Sequence, residues 1–252
     1  MTSEFSGRVA FITGGASGLG RAAAQQLAAQ GALVVVADVQ LDAAGSLARE
    51  LAAGGAQSIA VGCDVRDDRA VEIAVSTTVA HFGRLDIAIN AAGIGGPEVR
   101  TAEYAPDDWH RVIDVNLNGV WRCMRHEIPA MLAAGGGAIV NVASVAGLIG
   151  FPRHPAYAAS KHGVVGLTKT AALEYGRNGL RINALCPGFT LTPMVQQMID
   201  AGLPEDALVA RVPLGRLGTA NEVAAAALFL CSAAGAFMSG HALAIDGGIV
   251  AG

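Results

Sequence analysis

Short apolar runs rich in β-branched residues alternate along the chain with longer, alanine-rich stretches whose apolar positions recur at helical spacing. The runs predict strands at 9–13, 33–37, 58–62, 87–89, 138–142, 181–185 and 242–245, and the longer stretches predict helices near 19–30, 42–53, 67–82, 107–133, 156–176 and 220–232. The strands are apolar throughout rather than alternating, which indicates burial on both faces and hence parallel pairing. Seven such strands separated by helices predict a doubly wound α/β fold, a seven-stranded parallel sheet flanked by helices. No Pro/Ser linker or repeat divides the chain, so a single domain over residues 1–252 is expected. Regular alternation fails only at 188–219, where prolines and glycines punctuate short helical pieces. A long irregular insert after a strand's C-terminal end is a natural lid over a site.

Composition narrows the class. Hydrophobic residues make up 52% and charged residues 15%, with mean hydropathy +0.45, which excludes a charge-solvated disordered chain. It raises a membrane question instead, because 128–152 and 223–245 carry no charged residue and are long enough to span. The first contains Gly135-Gly136-Gly137, Asn141 and Ser144, and the second breaks at Ser239-Gly240-His241. Both therefore read as a buried helix followed by a buried strand. The N-terminus lacks a basic region leading into an apolar core. Cys63, Cys123, Cys186 and Cys231 are dispersed, without a Cys-x-x-Cys pair or metal-ligand spacing. A soluble, cytoplasmic protein with reduced thiols, no metal and no membrane partner is expected. The net charge of −4 leaves no basic footprint for nucleic acid.

Candidate chemistry begins after the first strand. Gly14, Ser17, Gly18, Leu19 and Gly20 lie in a glycine-rich turn that opens a helix. Glycines there let a pyrophosphate approach the backbone while the helix N-terminus faces its charge. With 33 glycines in the chain, the bare spacing arises by chance in about half of chains this size. Its position in the first βαβ unit is what gives it weight. Asp38 follows at the end of the second strand, where a carboxylate accepts from adenosine ribose hydroxyls in a Rossmann-type domain. Its charge would repel a 2′-phosphate, Val39 and Gln40 offer no cation, and position 17 is serine. The expected cofactor is therefore NAD in preference to NADP.

Tyr157 and Lys161 stand four apart on a predicted helix, hence on one face. The chain has 15 arginines and only two lysines, Lys161 and Lys169, and a chance Tyr-x-x-x-Lys has odds of about 1 in 40. A tyrosine working as acid/base near neutrality needs its pKa lowered from ~10, and a compact cation at ~4 Å supplies the required stabilisation. Ser144 ends the fifth strand and can reach the same space.

Taken together, the glycine loop, Asp64-Val65, Asn90-Ala91-Ala92-Gly93, Asn116, Ser144, Tyr157-x-x-x-Lys161, Cys186-Pro187-Gly188 and Asp246-Gly247-Gly248 resemble the short-chain dehydrogenase/reductase family over nearly the whole chain. The departure, Ala91 where the family has a second asparagine, leaves the turn glycine in place. The resemblance implies that Tyr157 exchanges a proton with the substrate oxygen and that Ser144 stabilises that oxygen. It implies that Lys161 holds the nicotinamide ribose and lowers the tyrosine pKa, and that Asn116 holds a water in a proton relay. Asp64 and Val65 would contact adenine, Asn90 and Gly93 the adenosine ribose side, and Pro187, Gly188 and Thr192 the nicotinamide end.

The expected reaction is interconversion of a secondary alcohol and a ketone. Ile94, Val145, His154, Phe189, Met194 and Met198 are candidate pocket residues, largely apolar. The rival readings are an NADPH-dependent 3-oxoacyl carrier-protein reductase, which Asp38 opposes while Arg122 and Arg125 keep it open, and a non-catalytic NAD sensor, which has no need of the proton relay. The predicted helix 107–133 carries Val112, Val115, Val120, Trp121, Met124, Ile128 and Met131. That apolar surplus, with the family resemblance, suggests a homotetramer paired across two-fold axes.

Overall fold

The computed structural model describes residues 4–252. Strand β1 (Val9–Thr13) leads through α1 (Gly18–Ala29) to β2 (Leu33–Asp38), then through α2 (Leu41–Ala53) to β3 (Ser58–Gly62). Helix α3 (Asp68–Phe82) crosses to β4 (Ile87–Asn90), α4 (Pro106–Ile113) and α5 (Gly119–Ala133) lead to β5 (Gly137–Val142), and α6 (Pro155–Tyr175) leads to β6 (Leu180–Pro187). An insert follows, made of β7 (Thr190–Leu191), α7 (Pro193–Asp200), α8 (Glu205–Val209) and β8 (Gly218–Thr219). Helix α9 (Ala220–Cys231) and β9 (Ala242–Ile245) complete the order.

Seven strands pair in parallel in the order β3-β2-β1-β4-β5-β6-β9, as the apolar runs require. Successive residues of one strand supply opposite faces. Ile12, Val34 and Val36 pack into the layer of α1, α2 and α9, whereas Phe11, Val35 and Ala37 pack against α3 and α5. Each large side chain fully buried in these layers contributes roughly 1.5–3 kcal/mol. The chain leaves β1 for β2 on one side and returns to β4 on the other. Strand order therefore reverses between them, and a crevice opens beyond Thr13 and Asn90.

The predicted helix 107–133 is not continuous. It is two helices joined by a π-helical turn, Asp114–Asn118. One extra residue in that turn rotates Asn116 inward, where it is fully buried. The apolar surplus read along this segment is also mostly accounted for within the chain. Val112, Val120, Met124, Ile128 and Met131 are buried in its own core, and of that set Trp121 is the exposed member. The surplus therefore gives no independent argument for self-association.

The insert at 188–219 has its own small core of Phe189, Val195, Leu208, Val212 and Leu217, against which Phe151 and Ile249 pack. The parallel pair β7–β8 closes its base. Among the described residues, no helix is long and apolar enough to cross a membrane.

Two charged residues fasten the sheet. Buried Asp86 accepts from the Val9 amide at 2.9 Å and from the Arg84 guanidinium, joining the start of β1 to that of β4. Arg181 on β6 donates to the carbonyls of Leu230, Gly235 and Ser232 at 2.5, 2.9 and 3.2 Å, satisfying the otherwise open C-terminal end of α9. Replacing Arg181 with Leu keeps the apolar stem but removes these charge-assisted bonds. A loss of about 3 kcal/mol in urea unfolding is expected.

Candidate active site

The crevice is floored by the glycine loop. Gly14 adopts a left-handed φ of 62° and lies so close to Ala92 that a Cβ there would meet its backbone at 2.8 Å. At Gly20 a Cβ would overlap the Gly14 carbonyl, so the loop turns into α1 only with glycine at that place. Ser17 caps α1 in extended conformation without a side-chain cap bond, and no acidic residue occupies the first turn. The N-terminal amides of α1, Leu19 included, thus face the crevice with their partial positive charge unopposed. On the far side a Cβ at Gly18 would stand 3.5 Å from Pro193 Cδ and 3.7 Å from Thr192 Cβ. The start of the insert therefore faces the loop, with Thr192 capping α7.

Asp38 is buried at the end of β2, and its Oδ2 accepts from the Ala16 amide at 3.0 Å while Oδ1 accepts from the Gln40 amide at 2.9 Å. It holds the glycine loop in place and keeps further lone pairs open to hydroxyl donors. Arg21, the nearest cation to the loop in sequence, is paired with Glu50 at 2.5 Å. A pyrophosphate-bearing dinucleotide fits this floor: a glycine cradle a Cβ would fill, a bare helix N-terminus, and an acceptor at the ribose end.

Two residues expected to contact the cofactor turn their side chains inward. The Asn90 side chain points into the core, donating to Glu127 Oε2 and Asn141 Oδ1 at 3.0 Å each, so only its backbone adjoins the crevice. Val65 is buried against Gly119, with the Arg122 guanidinium on its carbonyl. Asp64 is held by Nε and Nη2 of Arg66, which keeps its carboxyl below the usual range.

Pro155 starts α6 at a position where the missing amide costs nothing, and the helix brings Tyr157, Ser160 and Lys161 to the mouth of the crevice. Lys161 is almost fully buried, donates to the Val142 carbonyl at 2.8 Å, and lies 5.6 Å from the centre of the Tyr157 ring. Ser144 caps the short turn Val145–Gly147, its Oγ accepting from the Ala146 amide at 3.1 Å. Asn116 accepts from the Ile94 amide at 2.8 Å and donates to the Ile94 carbonyl at 2.9 Å and to Ser160 Oγ at 3.2 Å. A Cβ on Gly93 would sit 3.3 Å from Asn116 Oδ1 and 3.6 Å from Lys161 Nζ, so these groups converge at one point.

The electrostatics differ from the expectation that Lys161 lowers the tyrosine. Burial pushes the Tyr157 phenol above its ordinary value, and a hydrogen bond with Ser144 acts the other way. Burial also brings Lys161 down to about 8. Desolvation outweighs the Ser144 hydrogen bond at Tyr157 and the influence of Cys186 at Lys161.

Around Tyr157 lies an aromatic group. The Phe151 ring is 6.5 Å from the Tyr157 ring, 6.2 Å from Phe189 and 5.0 Å from His154. His154 Nδ1 is engaged with the Pro152 carbonyl at 3.1 Å. Val145 is buried at the foot of this wall, and Met194 of α7 would meet a Cβ on Gly95, beside Ile94, at 3.9 Å. Met198 lies one turn further along α7 and is half-buried. Pro187 ends β6, and the Gly188 amide donates to the Ile245 carbonyl at 3.0 Å. Arg211, not singled out from the sequence, sits 5.4 Å over Phe151 and 4.9 Å over Phe189. One arginine among 15 gives no signal of that kind. Glu127 was also missed, although an acid on the buried stripe of Val120, Met124, Ile128 and Met131 is a readable anomaly.

Comparison with known proteins agrees with this geometry. A family model described as "Enoyl-(Acyl carrier protein) reductase" matches residues 14–250. The chain is 45% identical to cyclohexanol dehydrogenase of Acinetobacter sp. (strain SE19), over 98% of this chain and 96% of that protein. It is 43% identical to cis-4-hydroxycyclohexanecarboxylate dehydrogenase of Sinomonas cyclohexanicum, over the full length of both. The crystal structure of levodione reductase superposes with a TM-score of 0.91 at 40% identity, covering 97% of this chain and 98% of that one. The fold, the shared sequence and the ordered motifs along it lead to one assignment: the chain belongs to the short-chain dehydrogenase/reductase family and is an oxidoreductase.

Proposed function

We propose that the protein interconverts a cyclic secondary alcohol and its ketone with NAD. The observation that carries the reading is Tyr157, half-buried beside the Ser144 hydroxyl, the Lys161 ammonium and the Phe151 ring at the edge of the crevice floored by the glycine loop. The nicotinamide, when bound, supplies the hydride chemistry. Ser144 orients the substrate oxygen, and Tyr157 Oη gives or takes the proton at that oxygen. Lys161 and Asn116 meet at Gly93, where a chain of polar groups can pass that proton on. Desolvation leaves the resting phenol protonated, the state that ketone reduction requires. For oxidation, the positive charge of a bound nicotinamide adds to that of Lys161 in drawing the proton off. The Phe151 and Phe189 rings offer apolar surface suited to a carbocyclic ring, with the 188–219 segment as a lid.

Asp38 and the pairing of Arg21 with Glu50 favour NAD over NADP. Carrier-protein reduction is less well supported, because Arg122 and Arg125 are paired with Asp114 and Asp68 rather than free to dock an acidic partner. The family resemblance extends the reading to a homotetramer, for which Trp109, Trp121, Leu173, Phe229 and Phe237 offer exposed apolar surface. Equilibrium sedimentation at micromolar concentration is expected to give four chains, and a monomer rejects the assembly.

Tyr157→Phe is expected to lower kcat by at least about 100-fold with NADH affinity nearly unchanged. In the same fluorescence titrations, NADH binds wild type at least about tenfold more tightly than NADPH, a difference of ~1.4 kcal/mol. Tighter NADPH binding overturns the cofactor assignment. Lys161 gives a pH test. Its folded pKa, about 8, lies below the ordinary 10.5, so burial costs stability while the ammonium is charged. The folded chain sheds that proton first as pH rises from about 8 to 10.5. Wild type should gain about 3 kcal/mol relative to Lys161→Met across that window in urea unfolding.

A further inference from the structure

Beneath the crevice, α5 places a carboxylic acid that the proposed chemistry does not use. Glu127 is fully buried, and its Oε2 accepts from Asn90 Nδ2 at 3.0 Å. Asn90 Nδ2 also donates to Asn141 Oδ1 at 3.0 Å, and Asn141 Nδ2 donates to Thr168 Oγ1 at 3.0 Å and to Met124 Sδ at 3.2 Å. All four amide protons of the two asparagines are thereby engaged. Two acceptors are left buried without a partner, Glu127 Oε1 and Asn90 Oδ1. They belong to the same two groups that already share the Nδ2–Oε2 bond.

An ionised Glu127 would leave both oxygens orphaned and a negative charge unpaired in the core, a heavily penalised arrangement. Among the described residues, its surroundings supply no counter-charge. Cys63 at the end of β3 and Cys123 on α5 are thiols whose own ionisation burial suppresses. Arg122 is paired with Asp114, Asp64 with Arg66, and Asp68 of α3 with Arg125 and His126. From β4, β5 and α6 the network receives Asn90, Asn141 and Thr168, none of them charged. A single proton on Oε1 resolves every fault, because it turns that oxygen into a donor for Asn90 Oδ1. Burial raises the Glu127 pKa to about 8, so the proton is in place at neutral pH.

We propose that Glu127 is a neutral carboxylic acid whose Oε1–H donates to Asn90 Oδ1, and that the resulting two-bond ring makes it a positioning residue for the nucleotide site. The ring fixes the end of β4, from which the chain runs through Ala91 and Ala92 to Gly93, the neighbour of Asn116 and Lys161. Ala92 is also the residue against which Gly14 of the glycine loop rests. The positioning role rests on the NAD-binding function proposed above; the neutral acid does not.

Glu127→Gln tests it, because the amide reproduces both hydrogen bonds and cannot titrate. Infrared difference spectra of wild type are expected to show the carbonyl band of a buried protonated carboxyl at pH 6, absent from E127Q. The folded pKa lies above the ordinary 4.5, so the stability linked to this proton is complete below about pH 4.5 and is lost as pH rises to about 8. The Tm of E127Q relative to wild type should therefore climb between pH 5 and 8 and level off above. KM for NAD should rise severalfold above pH 8 in wild type and less in E127Q, with kcat changing little between the two. Lys161 titrates in the same range in both proteins, so its contribution cancels in the comparison. Glu127→Ala should raise KM for NAD at every pH where it folds, and Gln should restore it. A missing carboxyl band or a flat Tm difference shows an ionised Glu127 and overturns the proposal. Identical KM profiles in wild type and E127Q overturn the positioning role. Failure of wild type to bind NADH at any pH would sink the functional reading and the positioning role together, while the infrared and melting data still decide whether Glu127 is neutral.

Discussion

The rest of the molecule depends on strands that must be covered on both sides. Val34, Val35 and Val36 of β2 are all inaccessible to solvent, and no one-sided packing satisfies such a strand. Each strand therefore needs a helix over either face, which parallel crossovers provide, and the crossovers leave a gap where the chain changes direction between β1 and β4. Everything chemical gathers at that gap: the bare N-terminus of α1, the carboxylate of Asp38, the turn at Gly93, and the start of α6. The site is a consequence of how the sheet is covered.

Burial then sets the charge states in the gap. The phenol of Tyr157 and the ammonium of Lys161 are both shifted toward their neutral forms, as is Glu127 below them. These groups share one cause, removal from water without full compensation. A region built this way changes protonation readily when a charged ligand arrives, because the cost of desolvation has already been met by the fold. The arrangement lowers stability while bringing Lys161 and Glu127 near their tipping points and holding the Tyr157 phenol protonated.

The sequence carried the sheet well, because strand burial leaves a pattern in every residue. All seven strands fall where the apolar runs place them, and the glycine loop, Asp38 and the Tyr157–Lys161 pair occupy the expected ends. What could not be read were features set by one extra residue or by distant partners. The π turn at 114–118 has no compositional mark, yet it decides which way Asn116 faces. Asn90 sits in the right motif but turns its side chain to Glu127, 37 positions away. Arg211 reaches Phe151 and Phe189 only because the insert folds back. Periodicity reports local burial, and these arrangements are long-range.

The insert at 188–219 differs from the rest in having its own core and a two-strand clasp at its base. From outside, Phe151 and Ile249 pack against that core. Such a segment behaves as a cassette. Residues that face only its own core can diverge without disturbing the sheet. Sequence change can therefore accumulate in this one stretch of chain while the sheet beneath it stays fixed.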